Sequence, residues 1–152
     1  MGSFEVVRQA QIDAPAETLH SLISNFHEWT AWSPWEDVDP DLHRVYSGPE
    51  SGPGAHYAWS GNRKAGQGSM EITSSTPTVI RIALSFLKPF KAVNDITFEL
   101  EPGGSSTGVT WRMTGEQSGL MALFGKVVSM DRLVGKDFEK GLTRLKAVAE
   151  SP

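Results

Sequence analysis

The chain has 152 residues, a hydrophobic share of 39%, a charged share of 21% and a formal net charge of −4. Its length suits a single domain with a substantial core, which we expect over residues 1–152, and no apolar run approaches the roughly 20 residues of a membrane span. The lack of a basic cluster argues against a nucleic-acid partner, and the absence of cysteine excludes disulfides and is typical of a cytoplasmic protein.

The first quarter of the chain predicts a strand followed by two short helices. Residues Phe4 to Ile12 mix β-branched and polar side chains, as strands do. Asp13 as a capping residue and Pro15 in the first turn then predict a short amphipathic helix that ends near Asn25. Residues 27–35 predict a second helical turn that runs into an irregular loop.

Three tryptophans stand within seven residues of one another in this second segment: Trp29, Trp32 and Trp35. They either plug one end of the core or form a wall of an apolar pocket. The acidic run that follows, from Glu36 to Asp41, lacks the glycine and the glutamate of a calcium loop and predicts a solvated loop.

From Leu42 to Glu116 the chain predicts six short strands. Glycine- and proline-rich turns separate them, so consecutive strands should pair antiparallel as a meander. The predicted strands are Arg44 to Ser47, Ala55 to Ser60, Gly68 to Ser74, Val79 to Leu87, Ala92 to Glu101 and Thr107 to Glu116. With the first strand they predict one curved seven-stranded sheet that wraps around a helix.

Alternation along these strands predicts an inward face that is almost wholly apolar. That face holds Tyr57, Trp59, Met70, Ile72, Ile80, Ile82, Leu84, Phe86, Ile96, Phe98, Leu100, Val109, Trp111 and Met113. Its tryptophan, tyrosine and methionine content favours the lining of a cavity, although aromatic-rich solid cores also exist.

Residues Ser118 to Glu150 predict one long C-terminal helix. Its apolar stripe consists of Leu120, Phe124, Val127, Val134, Phe138, Leu142 and Leu145. Asp131 stands near the centre of the stripe, where an apolar residue is expected. Three glycines, at 125, 135 and 141, either let the helix approach the sheet closely or leave room for a ligand beneath it.

Acid–base chemistry has two inward candidates, Asp131 and Tyr57. In a dry pocket the pKa of Asp131 would rise and suit proton transfer; alternatively it lies at a wet end of the groove or pairs with Arg112 or Arg132. The four histidines are dispersed, and neither a metal site nor a cofactor motif is present in the sequence. We therefore expect no metal and no cofactor.

Several motifs resemble one known family. They are Ile12-Asp13-Ala14-Pro15, residues 29–35, residues 57–62, Thr110-Trp111 and residues 134–142. These stretches are similar to the START-like, Bet v 1-like (SRPBCC) superfamily and, within it, to bacterial proteins of the polyketide cyclase/dehydrase type. The resemblance implies an α+β helix-grip fold that binds a hydrophobic molecule between the sheet and the long helix. No catalytic set of the family can be matched here residue by residue.

Three functions follow as hypotheses. The first is intracellular binding of a lipid- or polyketide-like molecule by a monomer or weak dimer. The residues expected to line that site are Trp32, Trp35, Tyr57, Trp59, Met70, Ile82, Phe86, Phe98, Trp111, Met113, Phe124, Val127, Asp131, Val134 and Phe138. The second is a polyketide cyclase or dehydratase that uses Asp131 and Tyr57. The third is a protein-interaction, stress or toxin–antitoxin module that uses the acidic loop.

Overall fold

The computed structural model describes residues 2–36, 39–63, 65–88, 91–117 and 130–151, with the side chains of 2–3, 116–117 and 130–133 excepted. The strands are β1 (Gly2–Ile12), β2 (His43–Ser47), β3 (His56–Ser60), β4 (Gln67–Ser75), β5 (Val79–Lys88), β6 (Ala92–Gly103) and β7 (Ser106–Gln117). The helices of the described residues are α1 (Ala16–Ser24), a 3-10 helix (Phe26–Ala31) and α2 (Met130–Glu150). Among these residues, no helix is both long and apolar enough to cross a membrane.

The seven strands form one antiparallel sheet in the order β1-β7-β6-β5-β4-β3-β2. The predicted meander is confirmed, because each strand from β2 to β6 pairs with the next one along the chain. The first strand pairs with the last, with Val6 opposite Met113 and Ile12 opposite Thr107. Together with the two short helices after β1 and the C-terminal helix, this is the α+β helix-grip arrangement that the sequence predicts.

The predicted inward face of the sheet carries the core. Twelve of its fourteen predicted residues are buried, and Trp59 and Phe86 are half-buried. Helix α2 lies against this face, where the ring of Phe138 stacks on that of Trp111 at 4.1 Å between centroids. Packing of the apolar stripe of α2 against the sheet therefore holds the two layers together.

The predicted start of α1 is partly wrong. Asp13 does not cap the helix: the N-cap residue is Pro15, and no side chain makes a capping hydrogen bond. A capping side chain acts from the N-cap position itself, and Asp13 stands two residues before it. The backbone N–H of Asp13 instead donates to Glu150 Oε2 at 2.8 Å, which ties the entry to α1 to the end of α2. The predicted end of α1 near Asn25 is confirmed.

The predicted C-terminal helix is confirmed from Met130 to Glu150. Residues 118–129, and with them Leu120, Phe124, Gly125 and Val127, lie outside the described residues. The other two helix glycines support a close approach to neighbouring groups. A Cβ atom built at Gly141 would lie 2.8 Å from the ring of Trp111 and 2.9 Å from Pro34, and one at Gly135 would lie 2.1 Å from the guanidinium of Arg8.

The substitution Gly141→Ala is expected to destabilise the protein by about 1–3 kcal/mol. Alanine favours a helix by about 1 kcal/mol over glycine, but the rigid ring of Trp111 and the ring of Pro34 leave no room for the methyl group. Gly135→Ala is the matched control, because the end of the flexible Arg8 side chain can move aside. Urea unfolding of both variants measures the contrast; an equal or greater loss for Gly135→Ala would contradict the packing assigned to Gly141.

Candidate functional site

A cavity of about 190 Å³ lies between the inner face of the sheet, residues 26–36 together with Leu42, and helix α2. Most of its wall is aromatic, aliphatic or methionine side chain. The described residues that line it are Phe26, Trp29, Ser33, Trp35, Glu36, Leu42, Tyr57, Trp59, Ala65, Met70, Leu84, Phe86, Met113, Val134 and Asp137. Such a wall favours an apolar occupant with a few polar contacts.

The tryptophans of the wall are held by hydrogen bonds from their indole nitrogens. Trp29 Nε1 donates to the carbonyl oxygen of Ile23 at 2.8 Å, and Trp59 Nε1 donates to that of Ala65 at 2.9 Å. Trp59 also lies directly over Gly68, where a Cβ atom would come within 2.6 Å of its ring. Each indole therefore satisfies its polar atom in the protein and presents an apolar surface to the cavity.

Two carboxylates lie on the cavity wall, and each accepts a hydrogen bond from a protein side chain. Glu36 accepts two hydrogen bonds from the guanidinium of Arg44, one of them from Nε at 3.1 Å. Asp137 Oδ2 accepts one from Trp35 Nε1 at 3.2 Å. The hydrogen bond to Glu36 raises the pKa of Arg44, so this pair is a fixed ionic feature at one side of the cavity.

The hydroxyl of Tyr57 is the third polar group of interest. Burial raises the pKa of Tyr57 to about 12, the Glu36 carboxylate adds to the rise, and the Arg44 guanidinium opposes it. Because desolvation penalises the phenolate, Tyr57 keeps its proton at neutral pH. At that pH it can donate a hydrogen bond to an occupant of the cavity.

This raised pKa gives a direct test, since the chain has two tyrosines. In the variant Tyr46→Phe, the remaining Tyr57 should ionise near pH 12 rather than at its ordinary 10.0, as measured by phenolate absorbance. The unfolded chain loses this proton first, so the stability contributed by Tyr57 is present below pH 10 and is lost as the pH rises to about 12. Ionisation near pH 10 with the protein still folded would contradict the burial of Tyr57.

Seven of the residues predicted to line the site lie together on the cavity wall. They are Trp35, Tyr57, Trp59, Met70, Phe86, Met113 and Val134. Five others lie in the packed core and are not among the lining residues: Trp32, Ile82, Phe98, Trp111 and Phe138. Phe124 and Val127 lie outside the described residues, as does the side chain of Asp131. The tryptophan segment thus serves both predicted purposes, because Trp32 packs in the core while Trp29 and Trp35 line the cavity.

The set of residues expected to line the site leaves out eight that do so: Phe26, Trp29, Ser33, Glu36, Leu42, Ala65, Leu84 and Asp137. Two of them have a signal in the sequence, because Trp29 belongs to the predicted pocket wall and Leu84 to the predicted inward face. Asp137 also has a recognisable signal, because it stands three residues after Val134 and so on the same side of α2. No spacing pattern in the sequence indicates that Glu36 lines a cavity, and the prediction of a solvated acidic loop is wrong for this residue. Its side chain is 14% exposed and pairs with Arg44. Asp39 is also buried and accepts hydrogen bonds from the backbone of Asp41 and Asn62.

Comparisons with known proteins agree with this architecture. The chain aligns over 97% of its length with a protein from Nitrosospira multiformis, at 19% identity, 97% coverage of that chain and a TM-score of 0.69. It aligns over 98% of its length with ginseng major latex-like protein 151 from Panax ginseng, at 12% identity, 99% coverage of that chain and a TM-score of 0.68. DynU16, from the dynemicin biosynthetic locus, gives 15% identity, a TM-score of 0.66, and coverage of 97% of this chain and 47% of its own. At these identities the likeness concerns the fold.

The sequence itself identifies the family. No curated protein sequence matches the chain. A family model described as polyketide cyclase/dehydrase and lipid transport matches residues 3–150, which is nearly the whole chain. The chain therefore belongs to the polyketide cyclase/dehydrase and lipid transport family, as the resemblance of its motifs to START-like, Bet v 1-like proteins predicts.

Proposed function

We propose that the protein binds a hydrophobic or aromatic small molecule of lipid or polyketide type in the cavity between the sheet and α2. The observation that carries the proposal is the cavity itself, with about 190 Å³ of space inside a largely apolar wall. A dry apolar cavity of about 150 Å³ is enough to bind benzene. The space here therefore suits an aromatic ring with small substituents, or the ring end of a larger molecule.

Tryptophan fluorescence tests the proposal, because Trp29, Trp35 and Trp59 line the cavity. Lipids, aromatic polyketides and flavonoids are the ligand classes to screen. We expect saturable changes in emission with at least one class, and native mass spectrometry of the purified protein should show an added mass of that class. No saturable change with any class and no added mass would contradict the proposal.

The enzymatic alternative is supported by a single observation, the position of Tyr57 on the cavity wall. Its raised pKa keeps the hydroxyl protonated, so it can donate a hydrogen bond to a substrate but is not available as a base. The sequence predicts Asp131 as its acid–base partner, but the side chain of Asp131 lies outside the described residues. Of the two candidate acid–base residues, the described residues therefore include the side chain of Tyr57 alone. A cyclase or dehydratase that depends on Tyr57 should lose its turnover in the variant Tyr57→Phe while ligand binding persists.

The interaction-module hypothesis relied on the acidic loop. Two of the three described carboxylates of that loop argue against it, since Glu36 and Asp39 already have partners within the chain. Of the three functions, small-molecule binding agrees best with the described residues.

A further inference from the structure

We propose that Asp137 orients the ligand by accepting a hydrogen bond from it, so that the cavity selects neutral aromatic molecules with a hydroxyl group over carboxylates of the same size. This inference rests on the proposed binding function and narrows its ligand class to phenol-like molecules. It follows from three observations on the wall: the geometry of Asp137, the charge of the lining groups and the size of the cavity.

Asp137 is held in place but retains capacity to accept hydrogen bonds. Trp35 Nε1 donates to its Oδ2 atom at 3.2 Å. The ring of Trp35 packs edge-on against those of Trp111 at 5.9 Å and Phe138 at 6.3 Å, so the donor cannot swing away freely. A carboxylate offers about four acceptor sites on its two oxygens, and the indole occupies one of them.

An acceptor that faces an apolar cavity favours a ligand with a donor. A polar group loses its water when a ligand covers it, and the loss is compensated only if the ligand supplies a hydrogen bond. A hydroxyl on an aromatic ring supplies that bond while the ring fills the apolar space. A hydrocarbon of the same size would leave Asp137 without this replacement.

The charges of the wall disfavour an anionic ligand. The described lining residues include two carboxylates, Glu36 and Asp137, and no lysine, arginine or histidine. The nearby Arg44 donates two hydrogen bonds to Glu36, and this pairing locally neutralises the guanidinium charge. A ligand carboxylate would therefore lie beside a like charge in a poorly solvated site, where the repulsion is weakly screened.

The experiment compares phenol, toluene and benzoate as probes of one ring each. Their binding is followed by NMR on the indole N–H resonances, with the Trp35 signal assigned from the variant Trp35→Phe. In the wild type we expect phenol to bind about tenfold more tightly than toluene, and benzoate to bind more weakly than either. The Trp35 resonance should shift with phenol much more than with toluene, because the indole N–H of Trp35 donates to the same carboxylate that accepts a hydrogen bond from the phenol hydroxyl.

The variant Asp137→Asn separates this role from a merely structural one. Asparagine keeps the shape and one acceptor oxygen but removes the charge. We expect phenol affinity to fall about tenfold, toluene affinity to stay unchanged and benzoate affinity to rise. Unchanged toluene binding also shows that the variant is folded with its cavity intact.

The two proposals fail in different ways. If none of the three probes binds the wild type, the inference about Asp137 fails; the proposed binding function fails as well only if the fluorescence and mass-spectrometry screen finds no ligand. If toluene and phenol bind alike, or if Asp137→Asn weakens both alike without improving benzoate, the cavity binds ligands but Asp137 does not select them. That outcome overturns the inference alone.

Discussion

Replacing Phe138 with alanine is expected to lower the free energy of unfolding by about 3–5 kcal/mol. The Phe138 ring is fully buried and stacks on Trp111 with an interplanar angle of 9°. Its removal would leave a void between α2 and the sheet, at the aromatic contact that holds the helix against the sheet. Domains of this size have a total stability of about 5–15 kcal/mol, so the loss is a large part of the whole.

The matched control is Phe86→Ala on the cavity wall. Phe86 is half-buried and contacts Trp59 edge-on at 5.8 Å, but one side of its ring already faces empty space. Its truncation removes fewer packing contacts, so we expect less than about half the loss seen for Phe138. Urea unfolding of both variants gives the comparison. Equal losses would mean that Phe86 packs as a core residue and that the space beside it is filled.

The variant Val134→Trp is expected to abolish ligand binding, with an affinity at least about 100-fold lower than in the wild type. Val134 lies on α2 and lines the cavity, so an indole at this position would occupy the space that a ligand needs. The cavity can accommodate much of the added ring, and the protein should therefore remain folded. The fluorescence or NMR titrations described for the wild type measure the loss.

The same substitution at Val93 provides the control. Val93 is 70% exposed on β6 and is not among the described lining residues of the cavity. Val93→Trp adds the same side chain at the surface, so binding should stay within about twofold of the wild type. If Val134→Trp binds ligand normally while folded, the ligand lies somewhere other than this cavity.

The strands and the faces of the sheet are predictable from the sequence because they depend on local patterns. Alternation places Ile80, Ile82 and Leu84 on one side of β5 whatever the tertiary context. The turns between β2 and β7 are short, so the meander follows as well. The pairing of β1 with β7 joins residues about a hundred positions apart, and no local pattern in the sequence predicts it.

No local sequence pattern distinguishes the inward residues that pack in the core from those that line the cavity. Trp111 and Met113 stand two residues apart on the same face of β7, yet Trp111 packs against Phe138 while Met113 lines the cavity. That difference depends on where α2 lies across the sheet. Glu36 likewise faces the cavity because Arg44 on β2 holds it there, which the acidic sequence around it does not indicate.

The most direct test of ligand binding in the cavity is a crystal structure with 4-bromophenol, in which anomalous scattering locates the bromine atom. We predict a single strong peak inside the cavity among Trp35, Trp59 and Phe86, with the hydroxyl group within hydrogen-bonding distance of Asp137. A cavity filled by the protein's own side chains, or bromine only at the surface, would contradict the account.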